Sequence, residues 1–149
     1  MQTTDKDWIA QAEELRRLKP KGILFLCVAN SARSQMAEGI AKSLAPEDVE
    51  VFSAGSRPSS VRPEAVQVLA EIGIDISSQR SKGMDKVPAD KVEAVVTLCA
   101  EEVCPLWLHK AYRVHWGMPD PAAVEGENRL DAFRDIRDEI QKRLVVVFG

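Results

Sequence analysis

The chain has 149 residues, 45% hydrophobic and 29% charged, with a formal net charge of -3. That length suits a single core, and the slightly acidic balance excludes a general nucleic-acid binder, which needs a basic surplus against phosphates. The longest apolar runs, ILFLCVA and AVVTLCA, are too short to cross a bilayer, and the polar start MQTTDKDW lacks the apolar centre of a secretory signal, so a cytoplasmic protein with no membrane contact is expected.

Residues 7–18, DWIAQAEELRRL, have helical spacing, with Trp8, Ile9, Ala12, Leu15 and Leu18 able to share a face. KPKG ends that helix, so residues 1–20 read as an N-terminal helical extension lying on the surface and 21–149 as the domain. An apolar strand over 23–26 is followed by a helix over 34–44, and a second strand is expected over 49–53, closed by the turn AGSRPSS. Pro63 opens a helix that Gly73 stops at residue 72. After the polar connection IDISSQRSKGM comes another apolar strand, VEAVVTLC. A short segment, AEEVCPLWL, then leads to a last strand, YRVHW. GMPDPAAVEGE is a loop, and a charged helix over 128–145 closes the chain. Strands alternating with helices predict an α/β fold: a single-domain open parallel sheet flanked by helices on both faces.

The loop after the first strand holds the chemistry. Ligands of open α/β sheets bind beyond the carboxyl ends of the strands, where helix N-termini present free N–H groups. The backbone of Val28, Ala29, Asn30, Ser31, Ala32, Arg33 and Ser34 would cradle a tetrahedral oxyanion there. Asn30 is the residue best suited to a left-handed turn inside this glycine-free loop. Arg33 can fold back and hold two oxyanion oxygens at once. The same field favours the thiolate of Cys27, with Ser34 donating to the sulfur, so Cys27 reads as a nucleophile aimed at the bound anion. Three cysteines are an odd count, and a reducing compartment argues against a static disulfide framework. Cys99 and Cys104 with His109 and His115 do not make a recognisable structural zinc pattern, so no metal is expected.

CVANSARSQMAEG resembles the catalytic loop shared by low-molecular-weight protein tyrosine phosphatases and the arsenate reductases that use thioredoxin. VFSAGSRP, GIDISSQRS, VVTLC and HWGMPDPA resemble the reductases in order, so the likeness runs over about residues 22–143. Gln35-Met36 is also reductase-like, since phosphatases usually carry proline there. The resemblance implies a phosphatase-like fold, an arsenical-resistance activity and no cofactor. By this likeness Cys27 attacks arsenate, and Cys99 attacks the Cys27 adduct to release arsenite. Cys104 then displaces Cys27, leaving a Cys99–Cys104 disulfide for thioredoxin. Asp120, in MPDP, resembles the general acid of the group, although aspartate beside proline is also an ordinary turn residue.

The chain departs from the group in three places. Cys99 and Cys104 lie closer together than is usual, which leaves glutathione–glutaredoxin or mycothiol systems open as the electron donor. Ala32 stands where several members carry another cysteine. Many reductases of the group hold a monovalent cation beside the loop, and the acidic residue they use falls here at Lys82, whose ammonium could replace that cation near Asn30, Glu38 and Ser53. A low-molecular-weight tyrosine phosphatase and a non-enzymatic oxyanion sensor are the alternative readings.

The short spacing also constrains the segment between the two cysteines. A regular helix over 99–104 would set them ~7.5 Å apart along its axis. A disulfide needs Cα atoms within ~7 Å and converging side chains, so the segment is expected either to start irregular or to unwind on oxidation.

Overall fold

Strand β1 (Gly22–Cys27) is buried along its whole length, as a central parallel strand covered on both faces must be. The structure, a computed structural model, describes residues 5–100 and 104–149. Around β1 it sets β2 (Glu50–Gly55), β3 (Ala94–Thr97) and β4 (Tyr112–His115) in the order β2-β1-β3-β4, every pair parallel. Helices α1 (Asp5–Leu18), α2 (Arg33–Leu44), α3 (Pro63–Ala70) and α4 (Arg129–Phe148) complete the chain with short 3-10 turns. The strand at 49–53 thus runs to Gly55, the one at 92–99 contracts to Ala94–Thr97, and the closing helix extends to Phe148.

Alternation along the strands sorts the core into two layers. Ile23, Phe25, Ala94 and Val96 face a large core with residues of all four α-helices. Leu24, Leu26 and Val95 face a smaller one with Val87, Val92 and Trp107. Both faces of the sheet are therefore covered, but unequally: α-helices cover one, and the 3-10 turns Met84–Lys86 and Ala89–Lys91 with the Trp107 segment cover the other.

The apolar face of α1 is narrower than its spacing suggested. Trp8, Ala12 and Leu15 are buried in the large core, whereas Ile9 and Leu18 are 40% and 42% exposed. The helix packs on α4 and is more than a surface appendage. The Trp8 ring takes Lys142 Nζ at 5.4 Å and the Arg143 guanidinium at 5.3 Å, and Gln11 accepts a 3.0 Å hydrogen bond from the Trp116 indole.

Between α3 and α4, Glu71 accepts from Arg134 (2.7 Å) and Arg137 (2.7 Å). The Arg134 hydrogen bonds, helped by Arg137, hold its carboxyl at about 2, below its ordinary 4.5. A depressed folded-state pKa contributes stability that is present above about 4.5 and lost as pH falls through about 2. Glu71→Gln should therefore flatten the fall in melting temperature across that acid window. A wild-type slope in the variant would show that the clamp contributes nothing.

Candidate active site

The ladder register brings the chemically interesting residues to one edge. Cys27 lies opposite Gly55 at the carboxyl end of β1, and the Leu98 amide donates to Leu26 O at 2.9 Å, extending the β1–β3 pairing to the residue before Cys99. β1 ends at Cys27 and α2 begins at Arg33, so residues 28–32 turn between them.

A second loop fixes their direction. The amides of Arg57, Ser59 and Arg62 donate to the carbonyls of Val28 (2.9 Å), Ala29 (3.1 Å) and Ser31 (2.8 Å). A trans peptide sends its N–H opposite to its C=O, so the amides of Ala29, Asn30 and Ala32 point the other way. A cavity of about 180 Å³ is lined by Cys27, Val28, Ala29, Ser31, Ala32, Arg33 and Asp120. At the start of α2 the N-cap is Ala32, which makes no side-chain cap, and the first turn carries no acidic residue. A helix start without a side-chain cap or an acidic residue thus suits an anion. Gly55 is required by close approach, since a Cβ there would sit 2.3 Å from Val28 O and 2.9 Å from Asn30 N.

Asn30 adopts the left-handed conformation, at φ 49, and is fully buried. Its Nδ2 donates to Ser34 Oγ (2.7 Å) and Ser53 Oγ (3.0 Å), while Oδ1 accepts from Gln35 Nε2 (2.9 Å) and the Lys82 amide (2.9 Å). Ser34 Oγ lies 2.8 Å from Cys27 Sγ. With one lone pair of that hydroxyl engaged by Asn30, its proton can point to the sulfur. Cys27 is a buried free thiol.

Arg33 is buried, and its Nη1 donates to Met118 O (2.8 Å) and Leu98 O (3.4 Å). These bonds orient the guanidinium from two sides, the end of β3 and the loop that carries Asp120. Asp120 is exposed at the cavity wall, and its Oδ1 caps the Pro121–Ala123 turn through the Ala122 amide at 2.9 Å. It is thus both a turn residue and part of the cavity lining.

Cys99 and Cys104 are joined as a disulfide with Cα atoms 5.5 Å apart. Cys99 is buried and Cys104 half-buried. Among the described residues of 99–108 there is no helix; residues 101–103, on which the expected irregular or unwound segment between the cysteines turns, lie outside those described. His115 Nδ1 is 2.6 Å from Thr97 Oγ1, and the His109 ring lies tilted against Trp107 with centroids 4.9 Å apart; neither lines the cavity around Cys27.

The polar connection IDISSQRSKGM, part of which carries the family resemblance, lies as a strap across the loop. Gln79 Nε2 donates to Gln35 Oε1 (2.7 Å), Gln35 Nε2 to Arg80 O (2.9 Å) and Ser81 Oγ to Ala29 O (2.9 Å). Nothing in its composition distinguished it from any solvated turn; the signal lay in the resemblance of GIDISSQRS and in the place of Lys82 beside the loop. Lys82 Nζ lies 3.4 Å from Glu38 Oε1, 3.4 Å from Ser53 Oγ and 3.0 Å from Arg80 O. Lys42 Nζ holds the other oxygen of Glu38 at 2.6 Å, so this buried carboxylate is paired on both sides.

Comparison with known proteins agrees with this geometry. The family described as low molecular weight phosphotyrosine protein phosphatase matches residues 22–148. An arsenate reductase from Halalkalibacterium halodurans is 47% identical over 131 residues, 85% of this chain and 94% of the relative. A solved arsenate reductase in the phosphate binding state is 36% identical with a TM-score of 0.74, covering 84% of this chain and 94% of that one. A thioredoxin-dependent arsenate reductase from Corynebacterium glutamicum is 28% identical with a TM-score of 0.60, covering 92% of this chain and 68% of the other.

The Lys82 ammonium already sits among the oxygens a monovalent cation would need. Exchanging potassium for sodium at constant ionic strength should therefore change neither turnover nor melting temperature. A clear gain with potassium would contradict this. Lys82→Ala should lower the melting temperature by removing one of the two lysines paired with the buried Glu38.

Proposed function

We infer the function of this chain from a family membership: it belongs to the low molecular weight phosphotyrosine protein phosphatases, and within them it is an arsenate reductase, an oxidoreductase that converts arsenate to arsenite. The observation that carries this is the pairing of an anion-shaped loop around Cys27 with a Cys99–Cys104 disulfide at the same sheet edge. Hydrolysis of a phosphate ester needs one thiol. Reduction of As(V) needs two electrons and thiols to supply them.

We assign the roles as follows. The loop amides of residues 28–34 and the Arg33 guanidinium bind the oxyanion. Cys27 thiolate attacks arsenic, and Asp120 protonates the departing hydroxide. Cys99 thiolate then attacks Cys27 Sγ; the S–As bond breaks, its electron pair stays on arsenic, and arsenite leaves a Cys27–Cys99 disulfide. Cys104 attacks Cys99 and expels Cys27 as thiolate. The disulfide present here corresponds to the end of that relay, which a thiol reductant resets. Thioredoxin is our choice for it, and a reducing cytoplasm is the setting three working thiols require. Because Cys27 and Asp120 line one cavity, slow hydrolysis of an aryl phosphate is a reasonable side activity.

Cys27→Ser should abolish arsenate reduction while the fold survives. Arg33→Lys should lower kcat/KM by roughly two to three orders of magnitude, because a point charge cannot replace the fork. Persistent turnover in Cys27→Ser would reject the assignment. Separately, Cys104→Ser should release a single equivalent of arsenite and then arrest as a Cys27–Cys99 disulfide visible by mass mapping. Sustained cycling of that variant with thioredoxin would remove Cys104 from the relay.

A further inference from the structure

His115 ends β4, and its ladder partner in β3 is Thr97. Val96 and Val114 face the large core, so strand alternation turns Thr97 and His115 to the opposite face, which carries the smaller core. A cavity of about 300 Å³ is lined by Thr97, Cys104, Trp107, Arg113 and His115, among others. An imidazole and a redox cysteine therefore share one cavity, separate from the cavity around Cys27.

The hydrogen bonds of the ring fix its tautomer. Thr97 Oγ1 donates to Val114 O at 3.5 Å and lies 2.6 Å from His115 Nδ1. With the hydroxyl proton on the carbonyl, Nδ1 carries the ring proton and donates, which leaves the lone pair on Nε2. Nε2 has no hydrogen-bond partner among the described residues. It borders the backbone of Cys99, since a Cβ on Gly117 would lie 3.0 Å from Nε2 and 3.0 Å from Cys99 O. Arg113 and Cys104 are the other charged or titratable groups lining the cavity. The Arg113 guanidinium donates to Trp107 O, to His109 O at 2.7 Å and to Ala111 O at 3.4 Å, so it is held on the 107–111 turn. His109 lies against Trp107, and Glu101 and Glu102, between the two cysteines in sequence, are outside the described residues.

Cys104 needs such a neighbour. A disulfide is attacked by thiolate, and an ordinary cysteine is only a few per cent thiolate at pH 7. Cys27 has Arg33 and the start of α2 beside it, whereas residues 104–111 form no helix whose start could favour a Cys104 thiolate. Imidazole is the side chain that exchanges protons near neutrality. We propose that His115 is the base of the last relay step, its Nε2 taking the Cys104 proton as that sulfur attacks Cys99. This rests on the relay assigned above. The Cys104 S–H bond breaks and an S–S bond to Cys99 forms. The Cys27–Cys99 bond breaks with its electron pair on Cys27, which leaves as thiolate. The displaced disulfide is the electron acceptor, so no further oxidant is needed. His115 is exposed and returns the proton to solvent. Thr97 acts through the ring, as a positioning residue.

The test follows a single turnover of the reduced full-length protein with arsenate and no reductant, using acid quenching and mass mapping of the disulfides. His115→Ala should slow conversion of Cys27–Cys99 to Cys99–Cys104 by roughly tenfold or more at pH 7, so that Cys27–Cys99 accumulates. High pH supplies thiolate without a base. The variant's rate should therefore climb with pH and meet the wild-type rate at about pH 9, above the ~8.5 of an ordinary thiol. His115→Gln, a polar replacement that cannot take up a proton, should behave in the same way. Rearrangement at the wild-type rate in either variant at pH 7 would overturn the proposal. So would equal slowing at every pH, the mark of a purely structural role. A wild-type protein that never forms Cys27–Cys99 would reject the relay itself, whereas a Cys27–Cys99 bond that rearranges equally fast in every variant rejects only the base.

Discussion

The site depends on one side chain, the amide of Asn30. An asparagine has two N–H donors and one oxygen with two lone pairs, and here all are used on partners from separate elements: Ser34 and Gln35 in the first turn of α2, Ser53 in β2, and the Lys82 backbone in the strap. Each such bond contributes about 1 kcal/mol net, but each buried partner left unpaired costs ~1–3 kcal/mol. The amide is therefore far more expensive to remove than to keep. It also occupies the left-handed turn in a loop that has no glycine from Cys27 to Ser34, so the anion seat is held with little backbone freedom to lose.

Electrostatics follow from the same arrangement. A protein with net charge -3 meets an oxyanion against its own field, and the first turn of α2, beside the cavity, carries no acidic residue. The nearest buried carboxylate on that helix, Glu38, points to Ser53 and lies between Lys42 and Lys82. Its charge thus lies with the scaffold behind the loop, while Arg33 and the loop residues Val28, Ala29, Ser31 and Ala32 line the cavity.

What could be read in advance was whatever is local. Apolar runs bounded by turn residues located β1 and β3, and strand-then-helix at Cys27 located the loop; even the backbone of Asn30 followed from the absence of glycine around it. What escaped depends on contacts distant in sequence. Whether Ile9 or Leu18 joins the face of α1 is decided by where α4 lies, at the other end of the chain, and helical spacing alone admits all five apolar residues. Likewise Gln79 and Ser81 look like any solvated turn until the fold lays them on residues 29–35. Arg113 gave no sign of its three carbonyl partners for the same reason. Polar networks of this kind are satisfied in three dimensions and leave no period in the sequence.

Trp107 has an optical consequence. Its indole is buried beside Cys104 in one cavity, and its Nε1 has no hydrogen-bond partner among the described residues. A disulfide close to an indole quenches its emission, and an unbonded N–H in an apolar setting emits toward the blue. Trp8 and Trp116 are tied elsewhere, to the cations of α4 and to Gln11. The chain therefore carries beside Cys104 a buried indole whose emission responds to the redox state of Cys99 and Cys104 and needs no label.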